Sequence, residues 1–337
     1  GFSFLMLIRD LGEHGLIARI RARVPADPDW VRLGIGDDAA VLEPPRGELD
    51  VITTDSLVED VHFKRAWSSM TDVGRTALAV NVSDLAAMGA TPRAATLSLA
   101  LPPSLPVSDL DKFLDGFLGL AAEVRVPLVG GNLTSSPGPL VIDVTLVGAV
   151  RRRRFLTRRG GRPGHLLYVT GALGRAAAEV ARMLDGAAVD QAPYAPRAPR
   201  EAALLECGVQ VARNRAASAA MDLSDGLADA VRQVAGQSGT GARVYSSKIP
   251  VDPVATAWAG RQGTGTEGAL QLAIHGGEDY ELLFAVPTRS RRHFETVAGR
   301  HTPVRCIGEL VAGVDTLLVW DDAGGRTTAL GGGFTHF

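Results

Sequence analysis

The chain has 337 residues, 46% of them hydrophobic and 21% charged, which is enough apolar material for two packed domains. A formal net charge of −2 offers no excess of cations to hold a nucleic-acid backbone or an anionic membrane, so the expected partners are small molecules. Cys207 and Cys306 form no CxxC pair, which argues against a disulfide framework or a structural zinc and fits a reducing cytoplasm.

In chain order, Phe2 to Ile8 is apolar but short and closed by Arg9 and Asp10, so it reads as neither a signal peptide nor a membrane span. No later run reaches the roughly 18 apolar residues that a span needs. A strand is expected at Val51 to Thr54, a helix from about Asp72 to Met88, and an alternating strand at Ala95 to Leu101. Ser108 reads as the N-cap of a helix whose Leu110, Phe113, Leu114, Phe117 and Leu118 stripe faces a core. Leu140 to Gly148 alternates as a half-buried strand should, and with the elements before it makes a first domain over residues 1–150.

Arg151 to Gly164 holds seven arginines and four glycines or prolines and reads as a linker. The second domain, residues 151–337, then shows a strand at Leu166 to Thr170, a glycine-opened helix over 174–184 and a Pro-rich loop at 192–199. A helix follows Ser224, and a strand from Glu281 to Val286 stops at Pro287. The Leu and Phe stripe over 110–118 is core, the Arg151 to Arg154 run a solvated face, and the two cysteines small inert hydrophobes.

Five acidic segments stand out: Gly34-Ile-Gly-Asp-Asp38, Thr53-Thr-Asp55, Asn81-Val-Ser-Asp84, Asp222-Leu-Ser-Asp225 and Gly276-Gly-Glu-Asp279. Any one alone reads first as a turn with a solvated carboxylate. Five such turns at strand ends would repel one another unless cations lay between them, and carboxylates are the hard oxygen ligands that suit several magnesium ions in phosphate chemistry. There is no GxxxxGK[ST] and no strand-linked GxGxxG, so neither a P-loop nor a dinucleotide fold is expected.

The runs GIGDDAAVL (34–42), TTDSLVEDVHF (53–63), VNVSDLAAMGA (80–90), MDLSDGL (221–227), GGEDYELLF (276–284) and GFTHF (333–337) resemble, in order, those of the thiamine-monophosphate kinases. That family is part of the wider aminoimidazole-ribonucleotide-synthetase superfamily. The resemblance implies an α+β fold of two domains, each a mixed β-sheet with helices on one face. It also implies ATP between the domains, magnesium in several ions, and a homodimer through the first domain.

Residue by residue, the resemblance gives Asp37, Asp38, Thr53, Thr54, Asp55, Asp84, Asn132, Asp222 and Asp225 as metal positions. It places Gly131, Asn132, Arg158 and Ser224 near ATP, and His62, Glu278 and Phe334 on the thiamine phosphate. Asn132 departs from the Gly-Gly-Asp of many members; its amide carbonyl can ligate magnesium but brings no charge. Alone, His62 reads as an ordinary surface or core histidine, and only its place in DSLVEDVHF suggests otherwise.

The implied reaction moves the ATP γ-phosphoryl group onto thiamine monophosphate, giving thiamine diphosphate and ADP. It needs no general base, because a phosphate monoester with a second pKa near 6 is already largely ionised at neutral pH. The enzymatic alternatives are aminoimidazole-ribonucleotide synthetase and selenophosphate synthetase. The latter carries a Cys or selenocysteine and a Lys before its first acidic motif, whereas here the first are Cys207 and Lys64. A catalytically silent nucleotide-binding protein is the alternative of another class.

Overall fold

Alternation along four strands and two helices with apolar stripes build the first of two units, Gly1–Leu85 with Thr91–Arg152. The computed structural model describes residues 6–186, 200–320 and 325–331. The elements of this unit are α1 (Ile8–Arg23), β1 (Val31–Leu33), β2 (Val41–Leu42), β3 (Glu48–Val58), α2 (Met70–Met88), β4 (Thr91–Leu101), α3 (Val107–Glu123), β5 (Leu128–Ser135) and β6 (Val141–Arg151). The sheet runs β3-β6-β4-β5, with β4 and β5 parallel and the other pairs antiparallel.

One face of that sheet is core. Leu99, Leu101 and Ile142 meet Met70 of α2 and Leu110 and Phe113 of α3 around a small apolar gap, and each such side chain contributes about 1.5–3 kcal/mol on burial. The α2–α3 crossing is close because Gly74 and Gly116 lie at it: a side chain at Gly74 would overlap the carbonyl of Phe113, and one at Gly116 that of Thr71. Arg19 and Arg23 of α1 both reach Asp111 of α3 and hold its carboxyl below the usual carboxylate range.

Three expectations shift. The strand expected at Val51 to Thr54 extends over all of β3. Helix α3 begins at Val107 with Pro106 as N-cap and no side-chain cap, because proline's fixed φ, here −62°, already suits the entry to a helix and leaves Ser108 inside the first turn. Leu118 stays partly exposed, and the buried stripe continues instead to Leu120.

The sheet's other face is mostly polar. Across it run the rows Thr54, Thr145, Thr96 and Ser56, Asp143, Ser98, with Ile52 opposite Val147 beyond them. At one end the β1–β2 hairpin covers it, with Trp30, Val31, Ala40 and Leu42 packed on Ala94 and Val129.

The second unit is Ala86–Ala90 with Arg153–Phe337. It contains β7 (Leu166–Thr170), α4 (Arg175–Leu184), α5 (Glu201–Arg213), β8 (Ala219–Asp222), α6 (Leu227–Ser238), β9 (Gly241–Tyr245), α7 (Pro253–Arg261), α8 (Gly265–His275), β10 (Leu282–Val286), α9 (Arg291–Ala298), β11 (Val304–Val311), β12 (Thr316–Val319) and β13 (Thr327–Ala329). The sheet order is β13-β12-β9-β11-β7-β10-β8, parallel only between β9 and β12.

Leu167, Val169, Leu283 and Ala285 on one face join Leu227, Val231 and Val234 of α6 and Leu270 and Ile274 of α8 in a fully apolar core. Strand alternation sends Tyr168 and Phe284 the other way, onto Phe294 of α9 at ring-centroid distances of 4.9 and 5.3 Å. Among the described residues no helix is long and apolar enough to cross a membrane. The Pro-rich stretch over 192–199 lies outside the described residues.

Candidate active site

In the first unit, strand alternation puts Thr53 and Asp55 on the face of β3 that looks toward α2 and Thr54 on the opposite one. The Thr53 hydroxyl donates to the Asp84 carboxylate. Asp84 sits inside α2 and Asp55 inside β3, so these two acidic groups are not at turns as their sequence suggested. A threonine-rich edge strand tolerates polar side chains, and the helix keeps its apolar side for the sheet. Burial, and then the charge of Asp84, push the Asp55 carboxyl up to about 6.

The remaining first-unit candidates are spread out. Thr54 donates to the carbonyl of Val144 at 3.1 Å and accepts from Thr145, also at 3.1 Å. Gly131 and Asn132 lie on β5, where Asn132 is exposed and in register with Ser98 on the face opposite Asp55. Gly131 must lack a side chain because one would overlap the carbonyl of Leu97. Asp37 and Asp38 stand exposed in the loop between β1 and β2. His62 Nδ1 accepts from the backbone N–H of Val58 at 3.1 Å, so the ring proton is on Nε2.

In the second unit, β8 and β10 end side by side, with Asp222 in register with Leu282. That pairing joins the Asp222–Asp225 and Gly276–Glu281 segments: Glu278 N donates to Ser224 O at 2.7 Å, Tyr280 N to Leu223 O at 3.1 Å, and Leu223 N to Glu281 O at 2.8 Å. Asp222 is 4% exposed. Glu278 and Tyr280 have φ of 65° and 47°, left-handed backbone that costs about 1–2 kcal/mol for a residue with a Cβ. Glu278 keeps contact with solvent, but the protein crowding its carboxyl, with the charge of Asp279, raises its pKa.

Arg158 is exposed and donates to Gln233 on α6, a placement that does not by itself join it to Ser224. Phe334 lies outside the described residues. Burial pushes the Cys207 thiol up to about 12, which removes it as a nucleophile.

Among the described residues no three His, Cys, Asp or Glu side chains converge on one point as a ready metal cage. Magnesium does not require one. It is held through one or two carboxylates, with water and substrate phosphates completing its shell. The Asp55–Asp84 pair with the Thr53 hydroxyl is such an all-oxygen set, and the Asp55 carboxyl, raised first by burial and then by the charge of Asp84, is one that a nearby cation would hold ionised.

The family model described as AIR synthase related protein, N-terminal domain, matches residues 36–150, and its C-terminal counterpart matches residues 162–321. The thiamine-monophosphate kinase of Escherichia coli K12 is 36% identical over 338 aligned positions, covering 97% of this chain and 98% of that one. The chain belongs to the thiamine-monophosphate kinase family. The crystal structure of the family member from Stenotrophomonas maltophilia is 34% identical with a TM-score of 0.76, over 91% of this chain and 96% of the other. AaThiL complexed with AMPPCP and TMP is 30% identical with a TM-score of 0.71, over 99% and 100%.

The motif points to Glu278 as a substrate group and to Asp279 only as part of an acidic turn, and neither Glu281 nor Arg200 stands out from the sequence. Asp279 and Glu281 are 2% and 1% exposed. Two carboxylates beside a strand of five buried apolar residues were the available signal, since buried acids need partners.

Proposed function

We propose that this chain transfers the γ-phosphoryl group of ATP to thiamine monophosphate, giving thiamine diphosphate and ADP. The observation that carries the reading is the Thr53–Asp55–Asp84 cluster, whose crowded carboxylates call for a divalent cation, in a chain that matches thiamine-monophosphate kinases over nearly its full length. Asp37, Asp38, Thr53, Thr54, Asp55, Asp84, Asn132, Asp222 and Asp225 would hold magnesium, which when bound supplies charge neutralisation between two polyanions.

The chain's own groups then bind and orient. Gly131, Asn132, Arg158 and Ser224 serve ATP. His62 offers its Nε2–H to a substrate acceptor. Glu278 meets the positive thiazolium, and Phe334 is the proposed aromatic partner for the thiamine rings. The compartment that fits is a reducing cytoplasm, with both cysteines free.

The test is product chromatography with ATP and magnesium. Thiamine monophosphate should be converted and free thiamine should not, because an alcohol needs a positioned base. His62 does not supply one: Nδ1 is committed to Val58 and Nε2 already carries its hydrogen. Finding thiamine to be the better acceptor would overturn the reading.

A homodimer through the open face of the first unit's sheet completes the proposal. Ile52 is 68% exposed on that face and stands opposite Val147, an apolar pair that a second copy would cover. Light scattering at micromolar concentration should give twice the chain mass of 35.3 kDa, and Ile52→Asp should shift it toward the monomer. A parent chain that scatters as an active monomer removes this part.

A further inference from the structure

The segment Gly276-Gly-Glu-Asp-Tyr-Glu281 has an outer and an inner side. Toward the outside it presents Glu278 and pairs its backbone with Leu223 and Ser224. Toward the inside it sends the carboxylates of Asp279 and Glu281, which are 2% and 1% exposed.

Asp279 Oδ2 accepts from Gly174 N at 2.6 Å and its Oδ1 from Ala176 N at 3.4 Å, so it ties the loop to the first turn of α4. Glu281 Oε2 accepts from the Thr170 hydroxyl at 2.5 Å, and the same hydroxyl oxygen accepts from Leu282 N at 2.8 Å. Glu281 also ion-pairs with Arg200, whose other nitrogen donates to the Asp279 carbonyl. Gly171, at φ 59°, lies so close that any side chain there would overlap the Glu281 carboxylate.

These anchors have a specific task. Glu278 and Tyr280 hold left-handed φ, and such a path persists only where its surroundings over-determine it. Asp279 and Glu281 are the residues interleaved with them, and Arg200 joins both. A buried ion pair is weak evidence for stability but a good device for fixing one conformation, because breaking it strands a charge.

We propose that Arg200, Asp279 and Glu281 are positioning residues: they lock the 278–281 loop in its left-handed path and so aim Glu278 at the substrate and fix the backbone of Ser224. This rests on the function proposed above.

The test compares the parent with Glu281→Gln, Arg200→Met and the double variant in steady-state kinetics. Each single variant should raise the KM for thiamine monophosphate about tenfold, equivalent to about 1.4 kcal/mol of lost substrate binding, with kcat changed less than about threefold. The double variant, which leaves no stranded charge, should recover part of the loss.

Amide hydrogen exchange at residues 223–225 and 278–282 should quicken in the single variants by more than it does in the core strands β7 and β11. A lowered urea midpoint with unchanged KM and unchanged local exchange would mean the cluster is merely structural, and the proposal fails. If the parent does not turn over thiamine monophosphate, the functional reading fails instead, and the exchange experiment still decides whether these residues hold the loop. Glu281→Gln, nearly isosteric, keeps the test open should Arg200→Met not fold.

Discussion

Asp55→Asn should lower phosphoryl transfer by at least about a hundredfold, the usual scale for losing one group that stabilises a transition state electrostatically. The asparagine keeps the shape of the side chain and removes its charge. Asp55 shares the α2 side of β3 with Thr53, whose hydroxyl is bound to Asp84, so the change leaves the hydrogen bond of the pair intact and halves its negative charge. Stability should hold or rise, because the parent keeps a half-buried carboxylate against a like charge, and its raised pKa records that conflict. Asp222→Asn, at a position 4% exposed at the end of β8, should cost activity on the same scale. Both are read by ADP release at saturating ATP with magnesium varied, alongside thermal melts. Near-parental turnover at ordinary magnesium concentration would remove that residue from the catalytic set, and a collapsed melt would assign the loss to folding.

Much of the first unit was legible because its signals are local. The helical stripe of α3 and the alternation of β4 and β6 are written in consecutive side chains. The face that each candidate occupies was not. Thr53, Thr54 and Asp55 look like one cluster in sequence, yet a period of two separates Thr54 from its neighbours, and only the Asp84 contact identifies which side is the acidic one. Asp84 itself belongs to a helix that periodicity did indicate over 72–88, and reading its motif as a turn conflicted with that helix. In the second unit, α7 and α8 are rich in alanine and glycine and give little contrast between faces, and β12 and β13 are too short to alternate visibly. The pairing of the 222–225 and 276–281 segments is non-local: more than fifty residues separate them, and the β8–β10 register joins them.

Gly116→Val should destabilise the protein by about 3 kcal/mol or more, at or beyond the upper end of ordinary overpacking. In most cores an added methyl group pushes on a side chain that can turn away. Here the obstacle is backbone: the new Cβ would overlap the Thr71 carbonyl and crowd the Arg75 N–H at 2.9 Å, and neither can move without moving α2. The facing Gly74 is just as tightly set against the Phe113 carbonyl, so the two helices cannot slide to share the strain. They must separate, and the apolar seam of Met70, Leu110 and Phe113 over Leu99 and Ile142 would then open. Because α2 also carries Asp84, the same displacement draws that carboxylate away from Thr53, so the surviving folded fraction should turn over more slowly as well. Urea unfolding followed by circular dichroism gives the stability, and turnover per folded molecule gives the second effect. A variant with parental midpoint and parental activity would mean that the crossing of α2 and α3 is looser than these contacts require.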